Sequence, residues 1–193
     1  MTYRDRSASV EDRVKDLISR MTLEEKVAQT LCIWEIYNEE LLDENGDFDR
    51  ERADAYFNGK HGIGEVSMHY DEGGGKPPRE MAELTNEIQE YVIKNSRLGI
   101  PVIFHVECLH GHAAIGATSF PVPIGMASTF NTSLVEEIYA KTAEEARVRG
   151  GHHALTPVLD IARDPRWGRV EETFGEDPYL VAEMGIAAVN GLQ

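Results

Sequence analysis

The chain has 193 residues, a formal net charge of −15 at pH 7, 41% hydrophobic residues and 27% charged residues. The hydrophobic content excludes a wholly disordered chain, and the acidic balance disfavours nucleic acid and anionic membrane surfaces as partners. Cys32 and Cys108 are too few cysteines for a disulfide framework. Because neither a signal-peptide pattern nor a membrane-spanning apolar run is visible, we expect a soluble cytoplasmic protein.

Two helices are predicted at the start of the chain. Apolar residues at helical spacing predict the first over Val10–Met21. Thr22 and Glu25 then form the Thr-x-x-Glu pattern of a capping box, which predicts that a second helix begins there. The apolar side chains expected on this second helix are Leu23, Val27, Leu31 and Ile33. The acidic stretch 38–58 is typical of a solvated loop or a weak helix.

From residue 62 onward, the pattern of strand, loop and helix repeats three times. The strands are expected at Gly62–His69, Pro101–Val106 and Ala154–Ile161, and the helices at Arg79–Leu98, Asn131–Arg149 and 178–190. Long loops follow the strands (71–78, 107–130 and 162–178), whereas short glycine-containing turns follow the helices. This alternation is typical of right-handed βαβ units.

The predicted fold class is therefore α/β, as a partial (β/α)8 TIM-type barrel with about three βα units after an N-terminal helical segment. A doubly wound open sheet obeys the same rules and stays an alternative. No glycine fingerprint follows the first strand, which disfavours a dinucleotide site. Three strands do not close a barrel, so either the sheet is open or most of the barrel is missing. In the second case, an uncovered apolar edge would favour self-association.

The loop after the second strand concentrates polar side chains that are able to do chemistry. Four potential metal ligands, three histidines and one glutamate, occur within eight residues, at His105, Glu107, His110 and His112. They lack the His-Glu-x-x-His spacing of a helical zinc site, so we expect no metal, although a metal-dependent hydrolase is retained as an alternative. Glu107 ends a strand, where barrel enzymes place their polar contacts. Its carboxylate suits two sugar hydroxyls, or else a buried ion pair with an arginine.

The loop after the third strand carries alternating charges between Arg163 and Asp177. A charge pattern this dense predicts ion pairs that make the loop rigid. Arg163 stands apart because it is expected directly after the strand, at the height of Glu107, where a guanidinium is able to bind hydroxyls in fixed geometry. Trp167 is predicted either to stack on a sugar face or to pack beneath the loop.

Several segments together resemble glycoside hydrolase family 3. The most specific is Arg-Asp-Pro-Arg-Trp-Gly-Arg at 163–169, followed by Glu-Glu-Thr-Phe-Gly-Glu-Asp-Pro at 171–178. The sequence at 107–111, Glu-Cys-Leu-His-Gly, and the segments 116–121 and 124–127 fit the spacing of that family, as does the opening stretch 14–29. The resemblance thus runs over nearly the whole chain.

The resemblance implies an exo-acting, retaining β-glycosidase that needs no cofactor and acts on β-linked glucosides or xylosides. It implies that Glu107 and Arg163 bind the hydroxyls of the non-reducing sugar and that His105 lines the same pocket. His110 and Gly111 are expected to shape the loop. Val106 departs from the acidic residue expected in the closest relatives, which concerns the details of the pocket rather than the family.

The resemblance also implies that no residue of this chain is catalytic. The family's Lys-His pair, its nucleophilic aspartate and its acid/base would all follow Gln193, in the rest of the barrel and in a second α/β sandwich domain. Residues 1–193 would then be the N-terminal portion of the barrel domain, inactive alone. Glu107 stands where some relatives carry Asp, and its extra methylene favours a pentose, so xylosides are slightly preferred over glucosides. The alternative is a stand-alone or engineered half-barrel fragment that self-associates and has no hydrolase activity.

Overall fold

The computed structural model describes residues 1–34, 40–57, 61–68 and 75–193. Its helices and strands in these ranges are, in chain order, α1 (Val10–Arg20), α2 (Leu23–Ala28), β1 (Cys32–Ile33), α3 (Arg50–Phe57), β2 (Glu65–Ser67), α4 (Pro78–Asn95), β3 (Ile103–Val106), α5 (Pro123–Ala127), α6 (Thr132–Val148), β4 (His153–Ala154) and α7 (Pro178–Leu192). Among these helices, none combines the length and the apolar composition that crossing a bilayer requires. Residues 1–66 with 87–102 form unit 1, and residues 67–86 with 103–193 form unit 2.

The predicted capping box between α1 and α2 of unit 1 is confirmed. The Thr22 hydroxyl accepts a hydrogen bond from the Glu25 N–H at 3.2 Å, and the Glu25 carboxylate accepts one from the Thr22 N–H at 2.8 Å. Glu25 is buried, and the exposed guanidinium of Arg97 pairs with it. The hydrogen bond from Arg97 lowers the pKa of Glu25. The ion pair with Arg97 therefore stabilises the Glu25 carboxylate in addition to the hydrogen bonds of the capping box.

The prediction for the segments after the capping box is partly wrong. Helix α2 ends at Ala28 instead of continuing through Ile33, which belongs to β1 and pairs in parallel with Val66 of β2. β-branched Ile33 suits a strand better than a helix. Helix α3 occupies part of the acidic stretch 38–58, where a solvated loop or weak helix was expected. The rest of that prediction, at residues 38–39 and 58, lies outside the described residues. Residue 69 of the first expected strand and residues 71–74 of the expected loop 71–78 also lie outside them.

Strand β3 is the centre of the sheet in unit 2. On one side its His105 carbonyl accepts the Met68 N–H at 3.0 Å, and on the other side β4 pairs with it in parallel, with His105 opposite His153. The strand pairs are parallel and join neighbours in the chain, β1 with β2 and β3 with β4. The expected βα alternation is therefore present, with one strand, β1, that the sequence reading missed.

The third expected strand is much shorter than predicted. Instead of Ala154–Ile161, the structure has β4 at His153–Ala154, followed by a single bridge between Val158 and Thr173. Pro157 has no N–H to contribute to a ladder, which limits pairing beyond that point. Arg163 therefore does not follow the strand directly.

Helices α6 and α7 form the main apolar core of unit 2. Each begins at a side-chain cap: Asn131 accepts the Leu134 N–H, and Asp177 accepts the Leu180 N–H. Short helix α5 joins them from within the segment expected to be a loop. The buried residues of this core are Met126, Ala127, Val135, Tyr139, Phe174, Val181, Met184, Ala187 and Ala188.

Candidate functional site

The expected site residues His105 and Glu107 lie at the end of β3. His105 is buried within the strand, and Glu107, two positions later, is half-buried directly after it. The neighbouring Phe104 and Val106 carbonyls accept hydrogen bonds from His152 and Leu155 at 2.8 and 3.0 Å. The strand end is thus fixed by main-chain bonds, so the backbone of Glu107 starts from a rigid support.

The segment after β3 folds back on itself and forms a closed loop, which we call the 107–120 loop. The Glu107 carbonyl accepts the Ala113 N–H at 2.9 Å, and the His110 carbonyl accepts the Phe120 N–H at 2.8 Å. A ring nitrogen of His110 lies 3.0 Å from the Phe120 carbonyl oxygen. His110 therefore shapes the loop, as the family resemblance implies.

Gly111 is required at its place in the 107–120 loop. Its φ is +112°, and an added Cβ would lie 2.1 Å from the carbonyl oxygen of Thr118. Only glycine allows both this conformation and this close approach. The two sides of the loop therefore touch through their main chains.

His112 and Cys108 are buried side chains of the 107–120 loop itself, and both are electrically neutral at neutral pH. The Cys108 Sγ lies 3.8 Å from the His112 Nδ1. Burial raises the pKa of the Cys108 thiol to about 12, with a smaller contribution from the charge of Glu107. Burial also lowers the pKa of His112 to about 4, and the positive charge of Arg149 adds to this effect. At pH 7 Cys108 is therefore a thiol and not the thiolate that a nucleophile needs. The pKa of His112 is too far below 7 for an efficient proton carrier.

The donor groups of the loop do not come together as a metal site. Among the described residues, no three of His105, Glu107, His110 and His112 bring ligand atoms within mutual reach of one ion. The ring of His110 is directed instead at the Phe120 carbonyl.

The arginine-rich segment after β4 has the expected ion pairs. Arg166 contacts Asp164, and the Arg169 guanidinium forks onto Glu172 with Nε–Oε1 and Nη2–Oε2 distances of 2.7 and 2.5 Å. The hydrogen bond to Glu172 raises the pKa of Arg169, and the negative charges of Asp160 and Glu107 contribute. The main electrostatic partner of Arg169 is therefore Glu172.

Arg163 and Trp167 are both on the solvent side of this segment. Arg163 is exposed, and its main-chain N–H donates to the Ile161 carbonyl at 2.8 Å in a tight turn. The exposed fraction of Trp167 is 38%, so its ring is not packed beneath the loop as a core residue would be. Both side chains are accessible to a ligand.

The sequence reading also missed two residues at the end of α6, Glu145 and Arg149, that bind the 107–120 loop. Their hydrogen bonds reach Thr118 and Ile115. The available signal was an acidic and a basic residue four positions apart in the last turn before Gly150-Gly151. That pattern is more often an ordinary solvated pair on a helix surface.

Comparison with known proteins supplies the family. Residues 22–193 match the model of the glycosyl hydrolase family 3 N terminal domain. The solved structure of a β-glucosidase from Erythrobacter marinus is 40% identical with a TM-score of 0.84, and the match covers 99% of this chain and 24% of that one. A β-glucosidase from Listeria innocua, solved as a D270A mutant with laminaribiose, is 33% identical with a TM-score of 0.75, over 95% of this chain and 24% of that one.

A β-xylosidase from Formosa agariphila is 42% identical over 120 residues, which are 59% of this chain and 16% of that protein. This chain spans about a quarter of the length of the relatives that match nearly all of it. The likeness to solved structures confirms the predicted α/β fold as part of a TIM-type domain. The chain belongs to glycosyl hydrolase family 3, and it corresponds to the N-terminal domain of that family.

Proposed function

We propose that residues 1–193 are the N-terminal portion of the barrel domain of an exo-acting, retaining β-glycosidase, and that they bind the non-reducing sugar. Glu107 accepts hydrogen bonds from two adjacent hydroxyls, Arg163 donates to the sugar, and His105 lines the same pocket. The observation that carries this proposal is the position of Glu107, half-buried at the end of a strand whose main chain is fixed on both sides. Barrel enzymes form their sites at this end of the strands.

The bond-breaking groups are proposed to come from other segments of a longer protein. Retaining hydrolysis requires a nucleophile and an acid/base whose carboxyl groups lie about 5–5.5 Å apart. The family resemblance assigns both groups to segments that follow residue 193, and it gives Glu107 a binding role. We therefore expect the isolated chain to bind sugar without hydrolysing it.

The substrate is proposed to be a β-xyloside or a β-glucoside. Relatives of both kinds are similar to this chain, and one Listeria innocua β-glucosidase structure contains glucose. We favour the xyloside slightly, because Glu107 is one methylene longer than the Asp that some relatives carry there. The longer side chain reduces the space for the hydroxymethyl group that a glucoside has and a xyloside lacks. One methylene changes such a preference by about 1–3 kcal/mol.

The test compares sugar binding and hydrolysis by the purified 193-residue chain. Methyl β-xyloside and methyl β-glucoside are titrated into wild type, E107Q, E107D and the control E176Q, which alters an exposed carboxylate of the arginine-rich segment. We expect E107Q to weaken binding by about tenfold or more through the loss of a charged acceptor. We expect E107D to shift preference toward the glucoside, and E176Q to resemble wild type.

Two results would contradict this proposal. Equal affinity of E107Q and wild type, or no binding of either sugar, would remove the binding role of Glu107. Turnover of 4-nitrophenyl xyloside or glucoside by a clean preparation would place the catalytic carboxyl groups within residues 1–193.

Self-association of the isolated chain is a second candidate property, favoured by exposed apolar side chains in unit 1. Val10, Val14 and Ile18 of α1 and Leu23, Val27 and Leu31 are each about half exposed or more. Such a surface is covered in a stable protein, either by the rest of a longer chain or by another copy. We propose that other copies cover it when residues 1–193 are produced alone.

A further inference from the structure

Helix α6 and the residue that follows it hold the 107–120 loop at three points. The Tyr139 hydroxyl donates to the Leu109 carbonyl at 2.9 Å. The Glu145 carboxylate accepts two hydrogen bonds from Thr118, one from its main-chain N–H and one from its hydroxyl, both at 2.8 Å. The Arg149 Nη2 donates to the Ile115 carbonyl at 2.9 Å. The loop is therefore held near its beginning, at Leu109, and near its end, at Ile115 and Thr118. We call the second of these contacts the far anchor.

The charges of Glu145 and Arg149 make the far anchor stronger than a typical surface contact. Burial alone would raise the pKa of Glu145, but the hydrogen bonds from Thr118 and the nearby charges of Lys141 and Arg149 hold it below its ordinary value. Arg149 is 2% exposed, and its Nη2 is the guanidinium nitrogen that bonds the loop, whereas its Nη1 has no hydrogen-bond partner among the described residues. Hydrogen bonds to charged groups contribute more than neutral ones, typically about 1.5–3 kcal/mol.

The anchor is connected to Glu107 by main-chain contacts within the loop. The Thr118 carbonyl packs closely against the backbone of Gly111. The neighbouring residue, His110, accepts a main-chain hydrogen bond from the Phe120 N–H. Two residues beyond Gly111, the Ala113 N–H donates to the Glu107 carbonyl. A displacement of Thr118 would therefore be transmitted to the backbone of Glu107 through close contacts that have no flexible side chain between them.

We propose that Glu145 and Arg149 are positioning residues that fix the 107–120 loop and thereby orient the carboxylate of Glu107 toward the sugar. They act through the loop and do not touch the substrate. This inference rests on the proposed function for the role of Glu107, but the mechanical part concerns the loop alone.

The first experiment measures amide hydrogen exchange by NMR in the 193-residue chain without sugar. Wild type is compared with E145A, E145Q and R149M, and with the control E144A, which removes an exposed carboxylate from the same helix. We expect exchange at Thr118 and at Ala113 to become about tenfold faster in E145A and in R149M. E145Q should restore part of the protection relative to E145A, because its amide is able to accept the Thr118 N–H and donate to the Thr118 hydroxyl but carries no charge.

A general loss of stability is distinguished by the amides of the α6 and α7 core, which should keep their wild-type exchange rates. If E145A unfolds, T118V removes the hydroxyl bond from the loop side without altering the helix, and it should give a smaller change in the same direction. Unchanged exchange at Ala113 in folded E145A would overturn the inference, since Glu145 would then have no influence on the backbone of Glu107.

The second experiment repeats the titration with methyl β-xyloside. We expect E145A to weaken binding about three- to tenfold and E145Q to restore it in part, whereas equal affinity for E145A and wild type would overturn the link to sugar binding. If wild type itself binds no sugar, the proposed function fails, and the exchange rates at Ala113 still decide whether Glu145 positions the loop.

Discussion

Glu107, His105 and Arg163 were identified from the same motifs, but their surroundings differ. His105 is buried in β3, and Glu107 is half-buried at the end of that strand. Arg163 is exposed and lies nine positions beyond the end of β4. The motif predicts which residue types belong to the site. The depth of each side chain depends on which neighbours cover it, and those neighbours are distant in sequence.

Burial of His112 predicts that stability depends on pH. The pKa of His112 is about 4 in the folded chain, against an ordinary value of 6.5. Between these values the unfolded chain binds more protons, so the free energy of unfolding falls as the pH decreases from 6.5 toward 4. The loss from this residue is up to about 3 kcal/mol.

The measurement is urea unfolding from pH 7.5 to pH 4 in wild type, H112Q and the exposed control H61Q. The carboxylates of the chain titrate in the same range, so only the difference between wild type and H112Q isolates this residue. H112Q should show a shallower decrease below pH 6.5, whereas H61Q should follow wild type. A wild-type curve parallel to that of H112Q would show that His112 is not buried as described.

At the scale of elements, the helices agreed with their sequence signals better than the strands did. Thr22, Asn131 and Asp177 each cap a helix where a cap residue precedes an apolar periodic run. A helix satisfies its hydrogen bonds locally, so a local pattern predicts it well. A strand obtains its partners from another strand, and β1 and β4 are only two residues long.

Close contact between α6 and α7 predicts a strong effect of a single methyl group. A Cβ added at Gly191 would lie 2.4 Å from the Glu136 carbonyl oxygen and 2.8 Å from the Ala140 nitrogen. Because both atoms belong to a helix backbone, α7 would have to move away. We expect G191A to reduce the free energy of unfolding by about 1–3 kcal/mol.

Urea unfolding of G191A is compared with that of G125A. Gly125 lies in α5, where an added Cβ would meet only the Pro121 side chain at an ordinary 3.4 Å. G125A should be neutral or slightly stabilising, since alanine favours helix more than glycine does. Wild-type stability in G191A would mean that the two helices are not in contact at this position.

At the scale of the whole molecule, the exposed apolar side chains of unit 1 predict association of the isolated chain. Three of them, Leu23, Val27 and Leu31, line an apolar groove of about 510 Å³. We expect sedimentation of the 193-residue chain to show species larger than the 21.6 kDa monomer. The double variant V14K/I18K should shift the distribution toward monomer, because a buried ammonium without a partner is unfavourable.

The control is I186K, which changes an equally exposed apolar side chain of α7 in unit 2 and should leave the distribution as in wild type. A monodisperse wild-type monomer would contradict this prediction. Equal dissociation by both variants would mean that association does not depend on unit 1 in particular.

By itself, the sequence determined the family, the α/β alternation, the helix starts and the candidate residues Glu107, His105 and Arg163, because periodicity, caps and motifs are local properties of the chain. Only the tertiary structure decided how far each strand extends, that His112 is buried, and that Glu145 and Arg149 hold the 107–120 loop. The hydrogen bonds of that loop join residues 27 and 34 positions apart in the chain. Contacts at such separations are selected by the packing of whole elements, which no local pattern records.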